Sequence, residues 1–217
     1  MRDPEYLCTI ARMSLRASRH LIALALLISA MGASPNATHY RRSPLANAVV
    51  LVIRHAEKPA SGAELAPAGQ QRAAAYVGYL EHYRIDGKPF KVSHIFATAD
   101  TKKSHRERLT VAPYAQALGM AIDQRFKNAD VEALAQDLNS NDYGKDILIC
   151  WHHGEIPALL KALGADAKTL VPEKKWPDDV FDRVIEIHFD ADGHVDPKAS
   201  RMVLEHLMPG DETGPAN

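Results

Sequence analysis

The chain has 217 residues, of which 46% are hydrophobic and 24% charged, with 26 Lys and Arg against 27 Asp and Glu. These ordinary globular proportions exclude a disordered chain and a multi-span membrane protein, and a net charge of −1 argues against a nucleic-acid partner. The length suits one sizeable core, and the two cysteines, Cys8 and Cys150, cannot build a disulfide framework if the first lies in a removed leader.

Residues 1–33 have the pattern of a secretory signal peptide. Leu21 to Ala33 read LIALALLISAMGA, an apolar run that follows basic residues and is shorter than the roughly 20 residues of a bilayer span. We therefore expect export to the periplasm or the medium. The alternative is an uncleaved leader that anchors the protein to the membrane. The chain then divides into a linker at 34–46, a domain at 47–208 and a frayed tail at 209–217.

From Asn47 onward, short apolar runs alternate with longer helical patterns, which is typical of a layered α/β domain. The runs Val49–Ile53, Ser93–Thr98 and Asp146–Trp151 have the composition of strands buried in a sheet. We predict an α/β three-layer sandwich with a mostly parallel central sheet and helices on both faces. The predicted helices are 67–83, 104–118, 131–138 and 156–163, and two further strands are predicted at 184–189 and 202–207.

Polar residues cluster where the first three predicted strands end. Arg54 and His55 follow the first strand, residues 101–106 follow the second, and His152 and His153 follow the third. Because the carboxyl ends of parallel strands meet at one edge of a sheet, we expect these three clusters to line a single pocket.

This combination of residues suits phosphoryl transfer. A neutral imidazole is a competent nucleophile near pH 7. A guanidinium group donates two parallel hydrogen bonds to phosphoryl oxygens and neutralises their charge without needing a metal. The hypothesis is that His55 attacks phosphorus while Arg54, Arg106 and a histidine from the third cluster hold the phosphoryl group.

Four segments, taken in order, resemble the histidine phosphatase superfamily. The segment VIRHAEK at 52–58 resembles the Arg-His-Gly signature of that family, with Ala in place of Gly. Residues 65–69 are similar to its Leu-Thr-x-x-Gly helix entrance. Residues 95–110 are similar to its strand, arginine and, four residues later, threonine, and residues 147–164 to its strand, second catalytic histidine and helix.

The resemblance implies a phosphoglycerate mutase-like fold and a metal-independent phosphatase that uses no cofactor. It implies that His55 becomes a phosphohistidine and that Arg54 and Arg106 grip the phosphate of a small phosphorylated substrate or a phosphorylated protein side chain. The second catalytic histidine is ambiguous. Alignment of the following helix by its apolar positions favours His152, whereas alignment on the His-Gly step common in the family favours His153. We slightly favour His153.

Two further candidates for substrate binding are Glu57 and Ser104. Two departures from the family pattern also matter. Ala66 replaces the usual helix-capping Thr or Ser, at a cost of about 1 kcal/mol, and Ala56 argues against a mutase. No single carboxylate stands out as the proton donor to the leaving group, and the candidates are Glu57, Asp100, Glu107 and Asp130.

Two alternative interpretations stay open. The chain is a non-catalytic module that kept a phosphate-binding pocket, or a metal-dependent hydrolase with His152, His153 and Glu155 as ligands. The histidine spacing fits no zinc pattern, so no metal is expected. Cys150, in an apolar run, is expected to be a core thiol, and Trp176, Pro177 and Phe181 are expected to be packing residues.

Overall fold

A computed structural model describes residues 42–173 and 175–211. The predicted leader, residues 34–41 of the linker and residues 212–217 of the tail lie outside the described residues. The strands are β1 (Val49–Arg54), β2 (Arg84–Ile85), β3 (Lys88–Pro89), β4 (His94–Ala97), β5 (Asp146–Trp151), β6 (Arg183–His188) and β7 (Arg201–Leu204). The helices are α1 (Pro67–Glu81), α2 (Arg106–Leu118), α3 (Val131–Ser140), α4 (Ile156–Ala162) and α5 (Ala167–Leu170).

The central sheet has five strands in the order β4-β5-β1-β6-β7. The strands β4, β5 and β1 are parallel neighbours, whereas β6 is antiparallel to both β1 and β7. Four of the five strands of this sheet therefore run in one direction, and the three predicted polar clusters all follow carboxyl ends at the same edge.

Helices cover both faces of the sheet, because alternate residues of each buried strand point to opposite sides. Val50 and Val52 pack with α3 and α4 on one face, while Leu51 and Ile53 pack with α1 and α2 on the other. The predicted three-layer α/β sandwich is confirmed.

The folded domain extends beyond its predicted limits at both ends. Leu45 and Ala46, assigned to the linker, are each 1% exposed, and Leu45 packs in the core beside α3 and α4. Asp211, assigned to the frayed tail, is 9% exposed. Burial of the apolar Leu45 and hydrogen bonds to the Asp211 carboxylate stabilise these segments, and short-range sequence patterns show neither.

Two smaller features complete the fold. The strands β2 and β3 form a hairpin that the sequence analysis missed, with its turn at Asp86 and Gly87, both at positive φ, a pairing typical of tight hairpin turns. Within 42–173 and 175–211, no helix has the length and hydropathy needed to span a membrane.

Candidate functional site

The predicted histidines from two separate segments meet at the carboxyl edge of the sheet. In the parallel pair of β1 and β5, Arg54 is in register with Trp151, so His55 and His152 follow their strands at equivalent positions. The centroid of the His55 ring lies 5.8 Å from that of His152 and 5.6 Å from that of His153. The predicted convergence of the first and third clusters is therefore confirmed.

The His55 imidazole is held neutral, with one nitrogen already committed. Its Nδ1 lies 2.7 Å from the carbonyl oxygen of Ala56, so Nδ1 carries the proton and donates it, and the lone pair is on Nε2. Burial lowers the pKa of His55 to about 3, and the charge of Arg54 adds to this effect. The lone pair on Nε2 is therefore free at neutral pH.

Arg54 is fixed beside this imidazole by a segment from much later in the chain. Its Nη1 donates to the carbonyl oxygens of Pro177 (2.9 Å), Asp178 (3.3 Å) and Val180 (2.7 Å), and its Cζ lies 3.9 Å from the centre of the Phe181 ring. Burial lowers its pKa to about 10, so the group stays charged at neutral pH. Within the part of the chain that the structure describes, its buried Nε has no hydrogen-bond partner, which leaves a donor available to a ligand oxygen.

The two histidines after β5 differ in what their nitrogens contact. Both nitrogens of His153 are engaged, Nε2 with Asp178 Oδ1 at 3.0 Å and Nδ1 with Arg54 Nη2 at 3.4 Å. Burial and the charge of Arg54 lower its pKa to about 4. His152 accepts a hydrogen bond at Nδ1 from the Gly154 amide at 3.2 Å, so its neutral form carries a proton on Nε2. This arrangement favours His152, not His153, as the donor to a phosphoryl oxygen.

Arg106 is the first residue of α2, and the first turn of that helix is tied to the loop after His55. The Thr110 hydroxyl donates to the Arg106 carbonyl oxygen and accepts from the Ala56 amide, each at 2.8 Å. The Arg106 guanidinium donates to two backbone carbonyls of residues 62–64 and to Ser104 Oγ. The start of α2 is therefore next to residues 55–57, the nucleophile loop. The Arg106 guanidinium itself is bonded to the 62–64 segment.

The four candidate proton donors separate clearly in the structure. Glu107 is 3% exposed, its Oε2 accepts a hydrogen bond from Ser104 Oγ at 2.9 Å, and its charge partly opposes the lowering of the His152 pKa that burial causes. The other three are held by hydrogen bonds elsewhere, Glu57 with Arg72, Asp100 with Arg108 and Gln124, and Asp130 with the amide of Lys127.

The glycine of the second motif lets α1 pack directly on the nucleophile loop. A Cβ at Gly69 would lie 2.4 Å from the carbonyl oxygen of Glu57, a distance that no side chain tolerates. The amide of Ala66 donates to the same oxygen at 2.8 Å. The side chain of Ala66 makes no capping hydrogen bond, as expected. The first residue of α1 is Pro67, which has no N–H group and therefore needs no hydrogen-bond acceptor at this position.

The three imidazoles also meet the distance criterion for a metal site. One ring nitrogen from each of His55, His152 and His153 lies within 4.8 Å of the other two, so His55 takes the place that the sequence analysis gave to Glu155. His153 has no uncommitted nitrogen, and the Nδ1 lone pair of His152 faces a donor amide. A dication would also lie beside the Arg54 guanidinium. These donors fit a phosphoryl group better than a metal ion.

The sequence analysis missed Asp178 as a site residue and assigned Phe181 to packing. Trp176 is a packing residue, since it is 0% exposed and its indole donates to the Val180 carbonyl. Phe181 instead contacts Arg54, and its ring centre lies 6.4 Å from that of His55. Arg72 was missed too, although it carried a signal: it lies on the buried face of α1 with Gly69, Ala73 and Tyr76.

No protein-family model matches the sequence, and no curated protein matches it either. Solved structures do match. An Escherichia coli K-12 protein described as an α-ribazole-5'-P phosphatase has a TM-score of 0.51 at 12% identity, over 75% of this chain and 98% of its own. A phosphoserine phosphatase from Entamoeba histolytica, in complex with 3-phosphoglyceric acid, has a TM-score of 0.50 at 15% identity, over 74% and 100%. A phosphoglycerate mutase from Plasmodium falciparum has a TM-score of 0.48 at 17% identity, over 76% and 96%. At these identities the likeness establishes the fold.

Proposed function

We propose that this chain, which has the fold of the histidine phosphatase superfamily, is a phosphatase that works through a phosphohistidine on His55. The observation that carries the proposal is the state of His55: a neutral imidazole whose Nδ1 is bonded to the Ala56 carbonyl and whose neighbours are a buried arginine and two further histidines. The substrate class is a small phosphomonoester or a phosphorylated protein side chain.

In the first step, the Nε2 lone pair of His55 attacks phosphorus in line with the leaving oxygen. A P–N bond forms, the P–O bond to the leaving group breaks, and that oxygen takes a proton from Glu107, which must enter this step in its protonated form. The unpartnered Nε of Arg54 and the Nε2–H of His152 donate to the phosphoryl oxygens, whose charge they neutralise in a loose transition state.

In the second step, water attacks phosphorus and the P–N bond breaks. Inorganic phosphate leaves, His55 recovers its Nε2 lone pair, and Glu107 takes the proton of the attacking water. The chain's own residues thus supply the nucleophile, the anion-binding donors and the proton transfer. We therefore propose that turnover needs no metal.

The direct test is hydrolysis of p-nitrophenyl phosphate in the presence of a chelator. We expect turnover by the unmodified chain, an acid-labile phosphoenzyme on a histidine, and loss of both in His55→Ala. The matched control is His82→Ala, because His82 is an exposed histidine that bonds only to its own helix and should leave turnover unchanged. Full hydrolysis by His55→Ala would overturn the proposal.

The role of Glu107 is tested by changing the leaving group. Because p-nitrophenolate leaves without protonation, Glu107→Gln should hydrolyse p-nitrophenyl phosphate at nearly the normal rate. With an alkyl phosphomonoester, whose leaving group needs a proton, kcat should fall by about 10²-fold or more. Equal losses with both substrates would remove Glu107 from the proton-transfer role.

A non-catalytic phosphate-binding module is the second candidate, and one observation favours it. His55 and Arg54 are each only 1% exposed, so little of the surface of the proposed nucleophile is open to a substrate. A binding module predicts that phosphate raises the melting temperature without any turnover. Trapping of a phosphohistidine would eliminate this candidate.

We also propose that the enzyme acts outside the cytoplasm, on the basis of the signal-like sequence at 1–33. Fractionation of cells that express the full chain tests this proposal. We expect the protein in the exported fraction, with a mature N-terminus that lies after the apolar run. Retention of the intact chain in the membrane fraction would support the anchored alternative.

A further inference from the structure

The loop that carries the nucleophile is held by a buried arginine. Glu57 lies two residues after His55, and its carboxylate accepts hydrogen bonds from Arg72 Nε at 3.0 and 3.2 Å and from Arg72 Nη2 at 2.8 Å. Arg72 is 2% exposed, so water screens this ion pair little. The position of the nucleophile loop on α1 therefore depends on this contact as well as on Gly69.

The same guanidinium binds the C-terminal segment 205–211. Arg72 Nη1 and Nη2 donate to the two carboxylate oxygens of Asp211 at 2.9 and 2.7 Å, and Nη1 also donates to Glu205 Oε2 at 3.3 Å. The Asp211 carboxylate in turn accepts from the amides of Leu207 and Met208. One arginine thus joins the nucleophile loop to the end of the domain.

The C-terminal segment also contacts the part of the chain that fixes Arg54. The amide of Glu205 donates to the carbonyl oxygen of Asp182 at 2.8 Å. Asp182 directly follows residues 177–181, which supply three carbonyls and a ring to Arg54. Segment 205–211 therefore braces both the loop of His55 and the support of Arg54.

The chemistry of this network indicates that it positions the residues it joins precisely, and does not only attach the C-terminal segment to the domain. Burying one cation among three carboxyl groups is costly, and apolar packing would attach a C-terminal segment at lower cost. A planar guanidinium with several fixed partners, however, orients each of them within a narrow range. Glu57, the partner nearest the nucleophile, is oriented through Arg72, whose other partner Asp211 lies 139 positions after Arg72 in the chain.

We propose that Arg72 and Asp211 are positioning residues, which set the geometry of the His55 loop so that the C-terminal segment 205–211 completes the catalytic site. The inference rests on the proposed phosphatase function. Both residues are proposed to affect the rate of the chemical step through the position of His55, and not through contact with the substrate.

The test compares Asp211→Asn with Asp192→Asn in the full chain. The amide at 211 presents hydrogens to Arg72 and breaks the paired contact, whereas Asp192 is exposed in the turn between β6 and β7. With p-nitrophenyl phosphate, and well below the melting temperature of each variant, we expect Asp211→Asn to lower kcat by about ten- to a hundredfold. KM should stay within about twofold, and Asp192→Asn should change neither constant.

Single-turnover formation of the phosphohistidine separates positioning from a structural role. In Asp211→Asn the rate of phosphoenzyme formation should fall as kcat falls, although the protein is folded by circular dichroism. Arg72→Lys, which keeps the charge but cannot bind two carboxylates in pairs, should show the same loss. Unchanged kcat in both variants, with an active unmodified chain, would overturn this inference alone. An unmodified chain that forms no phosphohistidine would overturn the proposed function and this inference with it.

Discussion

The two sides of the site are built differently. On the sheet side, Arg54 ends a central strand and His55 follows it, both are 1% exposed, and Arg54 is held by the carbonyls of residues 177–180. On the helix side, Arg106 begins α2, is partly exposed, and its guanidinium bonds to the carbonyls of the 62–64 segment. The sheet side is therefore preorganised, whereas Arg106 must exchange existing hydrogen bonds before it can bind a phosphoryl oxygen.

Two arginines that are both proposed to bind the phosphoryl group can therefore contribute to different kinetic constants. A group already fixed at the transition state lowers the barrier without reorganisation. A group that must first release protein partners contributes less net free energy, because lost bonds offset gained ones. Substitutions on each side of the site, together with the pH dependence of activity and stability, test this contrast.

The largest effect is expected on the sheet side. Arg54→Lys removes the orphan Nε, and the three ammonium donors cannot serve the three carbonyls of residues 177–180 and a phosphoryl oxygen as well, so kcat for p-nitrophenyl phosphate should fall by about 10²- to 10³-fold. The melting temperature should fall as well, because residues 177–180 lose their partner. Steady-state kinetics and thermal unfolding measure the two losses. A kcat within about threefold of normal would show that Arg54 only supports the fold.

A smaller effect is expected on the helix side. Arg106→Lys should raise KM about tenfold, with little change in kcat or melting temperature, because a lysine binds phosphate without the paired geometry of a guanidinium. The matched control is Arg108→Lys, the same exchange two residues later, at an arginine that pairs with Asp100. If the control raises KM equally, Arg106 is one cation of an exposed helix face.

The pH dependence of the reaction sharpens the contrast further. The pKa of His55 is lowered to about 3 by burial, so the nucleophile stays deprotonated down to weakly acidic pH. After correction for the ionisation of the substrate, kcat/KM should change less than about twofold between pH 7 and 5. An ordinary imidazole with a pKa of about 6.5 would lose more than tenfold. Circular dichroism at pH 5 confirms that the protein is folded.

The smallest effect concerns the brace behind the sheet side. Burial raises the pKa of Glu205 to about 8, above the unfolded value of about 4.3. Between these values the folded state binds more protons, so the free energy of unfolding falls as pH rises. From pH 6.5 to 8 the melting temperature should fall by about 5 °C. Glu205→Gln, which cannot ionise, should flatten this dependence, and an unchanged slope would show that another group titrates.

The sequence predicted those parts of the site that short segments of chain determine. His55 and the histidines after β5 were found because a buried strand that ends in polar residues is a local pattern, and the parallel order of β1 and β5 then brings the ends together. Asp178 was not predicted, because its contact with His153 depends on where the chain returns after α5. The Arg72–Asp211 contact spans the domain, and only the arginine on the apolar face of α1 hinted at it.

The choice between His152 and His153 shows the same limit at the scale of single atoms. The His-Gly step favoured His153, and the following helix favoured His152. The structure shows that His153 is occupied by Arg54 and Asp178, contacts that no local sequence pattern reveals. The proposal of His152 as the donor to the phosphoryl group therefore agrees with the alignment by helix phase and rests on these contacts.

The ion pair between Arg72 and Asp211 also limits where the domain can be shortened. Because the buried arginine bonds to the acid at 211, a protein cut just before Asp211 would keep every residue proposed for catalysis and still lose a partner of Arg72. Such a truncated protein should therefore be less stable and turn over more slowly than the full chain.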